Sequence, residues 1–387
     1  MPAADPKAGL YVHLPFCSAI CPYCDFAVTT GGSDARRAFV DGLVREIGAA
    51  RHAELPFDTV YFGGGTPSAL AAGQLEEIVG ALRHVYSIDG AARWALEANP
   101  EDVDDRSLSA WRRLGFATVS LGVQAFTDDR LRFLGRRHSA TQAVRAVEAA
   151  LASDVETVSI DLIYGLPEDG AASWRKELET ATGLGPNHIS CYQLTVHGGT
   201  PFARMEAAGR LTQLAEEGQA ELFHLTHELL DERGYPGYEV SNFAAEERHR
   251  SRHNHKYWTH QPYLGLGPSA HSFRGRRRWW NLSAVPSYLE AIGAGAWPVA
   301  GSEELDDEAL ALERLMLGFR IREGVDLDEI ERRHRVSIAE PNRELIARWI
   351  ADGFVLPEGC RLVPTLRGLA AADALAADLE IVADRRS

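Results

Sequence analysis

The stretch Tyr11-Val-His-Leu-Pro-Phe-Cys17-Ser-Ala-Ile-Cys21-Pro-Tyr-Cys24-Asp-Phe26 decides how this chain is read. An apolar run of strand character leads straight into three cysteines. The chain has five cysteines in all, and the other two, Cys191 and Cys360, stand far away and alone. A disulfide scaffold uses an even number at wide spacings, so that class is excluded. Three close thiolates suit a metal. A [4Fe–4S] cluster normally takes one cysteine per iron, so three cysteines leave one iron with an open coordination position. Structural zinc wants four ligands, and no second cysteine pair or spaced histidine pair follows. A zinc loop completed by Cys191 or a distant histidine stays open as the alternative.

Outward from this stretch, short apolar runs alternate with amphipathic segments. The expected strands are Leu10–Leu14, Thr59–Phe62, Arg93–Glu97, Thr118–Val123, Thr157–Ile163 and His188–Val196. Between them, Asp34–Arg51, Ala71–Tyr86, Asp105–Leu114, Thr141–Ala152 and Ala171–Thr182 have helical periodicity. Such alternation predicts parallel β/α units. The count falls short of the eight strands and ~250 residues of a closed barrel, so an α/β fold with an open (β/α)6 partial barrel is expected. Chemistry in such folds sits at the C-terminal ends of the strands. The cysteine loop, Gly63-Gly-Gly-Thr66-Pro67, Glu97-Ala-Asn-Pro100, Gly122-Val-Gln124 and Asp161 all fall on that rim. A triple glycine alone is usually a turn. On this rim its amides can approach a ligand closely, with Glu97, Gln124 and Asp161 supplying hydrogen bonds.

The expected division is a tail over 1–9, a barrel over 10–200, an extension over 201–300 and a mainly helical C-terminal domain over 301–387. Leu211–Arg233 reads as a long helix, and the Tyr- and His-rich sequence from there to about Asn281 reads as irregular. Phe354–Val363 reads as a hairpin around Pro357-Glu-Gly359. Helix, helix and hairpin resemble a winged helix, but the segment is acidic and reads as a packing or partner domain rather than a DNA reader. The whole chain of 387 residues carries 40 Lys and Arg against 55 Asp and Glu, a net charge of −15, which disfavours nucleic acid as a partner. No run of about eighteen apolar residues predicts a membrane span. No apolar leader precedes the first strand, so a cytoplasmic location is expected.

These motifs resemble the radical S-adenosylmethionine (SAM) superfamily, and within it the oxygen-independent coproporphyrinogen III oxidase family. Tyr11–Phe26 carries the likeness, and Gly63–Pro67, Gly122–Gln124 and Ile160-Asp-Leu-Ile-Tyr-Gly-Leu-Pro167 continue it in order. The resemblance implies a [4Fe–4S] cluster on Cys17, Cys21 and Cys24, with SAM chelating the fourth iron through its amino and carboxylate groups. It implies Tyr11 and Tyr23 beside SAM and Gly64, Gly65 and Thr66 at its amino group. Glu97 matches the ribose-facing acid, and Gln124, Arg136 and Asp161 match further SAM contacts. The reduced cluster donates an electron to the sulfonium, and the hard step belongs to the cofactors.

Two features depart from the oxidases. Phe26 stands where they carry a further cysteine, and their N-terminal extension has no counterpart before the first strand. Both resemble the branch of the family read as heme chaperones. His253-Asn-His-Lys-Tyr-Trp258 is similar to that branch's H-N-x-x-Y-W motif, which implies heme contacts by His253, Asn254, Tyr257 and Trp258. Imidazole is a natural axial ligand to heme iron, although a loop histidine beside tryptophan is more often a hydrogen-bonded surface or core group. His255 and His271 are rival ligands, and a non-histidine ligand stays open. Arg274-Gly-Arg-Arg-Arg-Trp-Trp280 reads as a solvated loop, with guanidinium pairing to heme propionates as a second reading. Cys191 reads as a buried core thiol. The implied function is binding heme and transferring it to an acceptor protein, membrane-bound heme enzymes among the candidates, with the cluster and SAM structural or regulatory. The competing reading is a radical SAM enzyme acting on a porphyrin, by decarboxylating coproporphyrinogen III oxidatively or by degrading heme.

Overall fold

A computed structural model describes residues 7–383. Its first strand, β1 (Ala8–Leu14), is buried at every position but Tyr11, as a strand flanked on both edges must be. Parallel strands follow in chain order: β2 (Pro56–Gly64), β3 (Ser87–Ala98), β4 (Thr118–Gln124), β5 (Thr157–Tyr164) and β6 (His188–Gln193). The crossovers are α1 (Ser33–Gly48), α2 (Ala72–Val85), α3 (Asp105–Leu114), the pair α4 (Asp128–Phe133) and α5 (Ala140–Leu151), and α6 (Ala171–Leu184). This is the expected open (β/α)6 arrangement.

Alternation along each strand separates two environments. Val60 and Phe62, Val119 and Leu121, and Val158 and Ile160 are fully or almost fully buried in the apolar core. Thr59 and Tyr61, Thr118 and Ser120, and Ser159 and Asp161 face the polar barrel interior instead. Cys191 lies in the apolar core at 2% exposure, and burial pushes its thiol well above the ordinary range.

The sheet extends beyond the expected edges. After α7 (Pro201–Ala207) and α8 (Glu216–Glu232), β7 (Asn242–Ala244) pairs antiparallel with β6. Then α9 (Arg252–Trp258) leads into β8 (Tyr263–Leu266), which pairs parallel with β1. Antiparallel strands β9 (His271–Arg274), β10 (Arg277–Asn281) and β11 (Val299–Glu304) continue that edge. The segment read as irregular therefore contains four short strands and a helix, and the long helix begins at Glu216 rather than Leu211. The arginine run is solvated as expected, but as a hairpin rather than a loop. Gly275, at φ +67°, and Arg276 form its two-residue turn. Arg274, Arg276 and Arg278 each meet a carboxylate at 2.6 Å, on Glu54, Asp307 and Glu313 respectively, so these three guanidinium groups have protein partners. The first strand begins at Ala8, inside the expected tail, and residues 1–6 of that tail lie outside the described residues.

Past Leu305, helices Asp307–Gly318, Leu327–His334 and Arg343–Ala351 bury a separate core around Phe319, Ile338 and Trp349. The expected hairpin is present as Val355–Glu358 paired with Arg361–Pro364.

Candidate functional site

The C-terminal ends of the strands and the loop after β1 enclose a cavity of about 590 Å³. Cys17, Cys21 and Cys24 line one wall, partly exposed and with free thiols. Backbone bonds fix their loop: Cys17 N–H donates to Thr29 O at 2.9 Å, and Cys24 N–H to Cys21 O at 3.1 Å. Thr66 Oγ1 donates to Cys17 Sγ and Arg136 Nη1 to Cys21 Sγ, each at 3.5 Å. The bond from Thr66 favours the Cys17 thiolate. Burial works the other way, raising the Cys17 thiol and lifting Cys24 to about 11.

The glycines are there for close approach. Gly65 N–H donates to Leu14 O at 2.8 Å, and a Cβ on Gly65 would sit 2.7 Å from the Pro15 carbonyl carbon. Gly64 has φ +106°, and its Cβ would come within 2.5 Å of the His13 ring. Only glycine lets the end of β2 press against the end of β1 here. On β4, Gln124 holds a left-handed φ of +67° at the cavity wall, a strained conformation for a side-chain-bearing residue.

Two acids meet inside. Tyr61 donates its hydroxyl to Glu97 Oε1 at 2.8 Å, and Ser120 donates to Asp161 at 3.3 Å. Burial, then the neighbouring Asp161, lifts the Glu97 carboxyl to about 7. Burial lifts Asp161 to about 6. Arg136 Nη2 donates to Asn99 Oδ1 at 2.6 Å and to Gly122 O at 2.8 Å, while its buried Nε has no partner.

The three cysteines therefore share one cavity with Tyr23, Gly64, Gly65 and Thr66, and with Glu97, Gln124, Arg136 and Asp161. Tyr11 is the exception among the residues expected beside SAM. It lines a neighbouring cleft, and its hydroxyl meets His13 Nδ1 at 3.1 Å. Sequence reasoning missed His13, whose Nε2 also reaches Ala27 O at 3.0 Å and so ties the cysteine loop to β1. It also gave no role to Asn99, whose Nδ2 donates to Thr66 Oγ1 at 3.2 Å while its oxygen holds Arg136. The available signal for His13 was its position two residues from Tyr11, on the same strand face.

The segment with the H-N-x-x-Y-W pattern is not gathered on one face. His253 is 4% exposed, packed on Tyr61 with ring centroids 5.2 Å apart. Its Nδ1 meets Thr59 Oγ1 at 2.9 Å and its Nε2 meets the Tyr257 hydroxyl at 2.8 Å. Burial pushes its pKa down to about 3. Both nitrogens are engaged, so the expected iron ligation by His253 has no geometric basis in this conformation. His253 closes the polar interior with His249 and His188, whose Nδ1 atoms each meet a strand hydroxyl, on Thr157 and Ser159, at 2.8 Å. Asn254 lines that interior, Tyr257 reaches the cleft of Tyr11, and Trp258 and His255 line a separate hollow towards the C-terminal helices.

The donor set fits the groups the motifs imply. Among the described residues no three His, Cys, Asp or Glu side chains converge on one ion-sized point. Thiols that flank a volume suit a multinuclear cluster better than a single tetrahedral zinc. The unpartnered Arg136 Nε is a buried donor on the cavity wall, suited to an anionic or carbonyl group of a ligand.

Residues 11–181 match the model of the radical SAM superfamily, and residues 305–370 match that of the HemN C-terminal domain. The structure is similar to coproporphyrinogen III oxidase (HemN) from Escherichia coli, with a TM-score of 0.82 at 22% identity over 97% of this chain and 90% of that one. Fold and site define a radical SAM protein, whose cofactors are a [4Fe–4S] cluster and SAM. The chain belongs to the HemW family. It is 37% identical to the heme chaperone HemW of Synechocystis sp., over 81% of this chain and 78% of the relative. It is 35% identical to the heme chaperone HemW of Mycobacterium tuberculosis, over 95% of this chain and 93% of the relative. The mitochondrial radical S-adenosyl methionine domain-containing protein 1 of Bos taurus is 32% identical, over 84% of this chain and 71% of the relative.

Proposed function

We infer that this chain is a heme chaperone on a radical SAM scaffold, binding heme and transferring it to an acceptor protein. The observation that carries this reading is near-full-length similarity to proteins named as heme chaperones. Phe26 adds to it. Its ring is 65% exposed beside the cluster loop, where the oxidases of the wider family are expected to carry a thiol.

Cys17, Cys21 and Cys24 would hold the cluster, and Arg136 steadies both the Cys21 sulfur and the end of β4. Glu97, held by Tyr61, accepts from a ribose hydroxyl. Gly64 and Gly65 bring backbone close to the SAM amino group. When bound, the cluster and SAM supply one-electron chemistry at the sulfonium. We propose membrane-bound heme enzymes among the acceptors, and transfer in the cytoplasm. Among the described residues no helix is long and apolar enough to cross a membrane.

The test is transfer. Protein loaded with heme anaerobically is mixed with apomyoglobin as a surrogate acceptor, and the Soret band is followed. The chaperone reading expects the spectrum to become that of holomyoglobin. SAM, reductant and coproporphyrinogen III supplied together are expected to give no decarboxylated product. Turnover without heme transfer would favour the porphyrin enzyme instead.

A further inference from the structure

We propose that heme binds in the cleft beside the SAM cavity, with His271 as the axial ligand to its iron and Phe26 against its macrocycle. This deepens the heme-chaperone reading and rests on it. The cleft measures about 400 Å³ and joins the main cavity along Asp25, Phe26, Gly64 and Glu97, which line both. That size lies within the ~300–1,000 Å³ of small-molecule sites, and the junction gives a large ligand further room. Tyr11, Tyr257 and Tyr263 supply aromatic surface along its walls. A flat apolar macrocycle needs such faces, and its iron needs one imidazole with a free nitrogen.

Two histidines line the cleft. His13 is 6% exposed, and both its ring nitrogens are taken, by the Tyr11 hydroxyl and Ala27 O. His271, at the start of β9, is exposed. Its ring stacks on Trp280 of the paired strand, with centroids 5.8 Å apart and planes 25° from parallel. Arg278 and Glu303 reach it only through their charges. The ring is oriented by stacking while its nitrogens remain uncommitted among the described residues. An iron ligand requires that combination.

Phe26 stands at the junction of the two cavities with most of its ring in solvent. Together with the tyrosines of the cleft it offers a flat apolar ligand a further aromatic face. Tyr257 lines the cleft while its hydroxyl meets His253 Nε2 at 2.8 Å. In this arrangement His253 is a positioning residue, acting on the cleft through Tyr257.

The experiment is a hemin titration of the anaerobically reconstituted, full-length protein, read by the Soret band and by electron paramagnetic resonance of the heme iron. Saturable binding to the wild type tests the reading beneath the proposal, and its absence would overturn both. Given binding, His271→Ala is expected to weaken affinity by about tenfold or more and to change the iron's spin signature. Free imidazole is expected to restore the wild-type signature, with cluster content unchanged throughout. Phe26→Ala is expected to weaken binding without changing the signature. Wild-type binding with an unaltered His271→Ala spectrum and affinity would overturn the assignment and leave the chaperone reading standing. Failure of imidazole to restore the signature would equally remove His271 as the ligand.

Discussion

His253 Nε2 and the Tyr257 hydroxyl meet at 2.8 Å inside the barrel, with Thr59 Oγ1 at the other ring nitrogen, Nδ1, at 2.9 Å. The histidine that the sequence pattern offers to iron is thus spent on holding two hydroxyls and closing the interior. His253→Ala should leave both hydroxyls without their partner and open a cavity, destabilising the protein by about 2–3 kcal/mol in urea unfolding. The spin signature of bound heme should survive the substitution. Full stability with loss of axial ligation would return His253 to the iron.

The acid pair gives a pH dependence with two opposite signs. Folding raises Glu97 from 4.5 to about 7 and Asp161 from 3.8 to about 6. A carboxyl raised in the folded state contributes stability below its unfolded pKa and loses it as pH rises through the folded value. The stability difference between SAM-free wild type and Glu97→Gln should therefore fall between about pH 4.5 and 7. SAM affinity should move the other way, because its ribose hydroxyls donate to the ionised carboxylate. Calorimetric titration should show SAM binding tighten as pH passes through about 7, and that step should be lost in Glu97→Gln, leaving only the change from Asp161 near pH 6. A wild-type SAM affinity independent of pH would contradict the role given to Glu97.

Each cysteine of the loop is expected to be one iron's only protein ligand. Cys21→Ala should lose the visible absorption and most of the iron of the reconstituted protein, while Cys191→Ala keeps both. A complete [4Fe–4S] spectrum in Cys21→Ala would refute the ligand set.

Gly65 is tied to the strand ends by backbone rather than by flexible side chains. A methyl there meets Leu14 O at 2.8 Å and the Pro15 carbonyl carbon at 2.7 Å, so the loop itself must move. Gly65→Ala should cost about 1–3 kcal/mol of stability and weaken SAM binding, whereas Gly73→Ala, with open space around it, should do neither. Equal SAM affinities in the two variants would show that the close approach is not used.

The barrel was legible because its strands carry one apolar face each, as in Val60-Tyr-Phe62 and Val119-Ser-Leu121, and because strand ends gather chemistry on one rim. That rule placed the cysteines, Gly64, Gly65, Glu97, Gln124 and Asp161 correctly in one cavity. The second sheet edge was not legible. β8 and β9 are only four residues each, and β10 carries its arginines into carboxylate pairs that are invisible without the fold. Gly275 was the one local signal of that hairpin. The surroundings of Tyr11 and His253 were not legible for a common reason. Pattern matching gives a residue a role, but where its side chain ends depends on strand register and on a helix that arrives from residues 252–258 to plug the interior.

The most direct test of the account is the anaerobic hemin titration of the cluster-loaded wild-type protein, carried on into transfer to apomyoglobin. The account predicts saturable, stoichiometric binding and delivery of the bound heme. No saturable Soret change, with decarboxylation of coproporphyrinogen III in the presence of SAM and reductant, would contradict it.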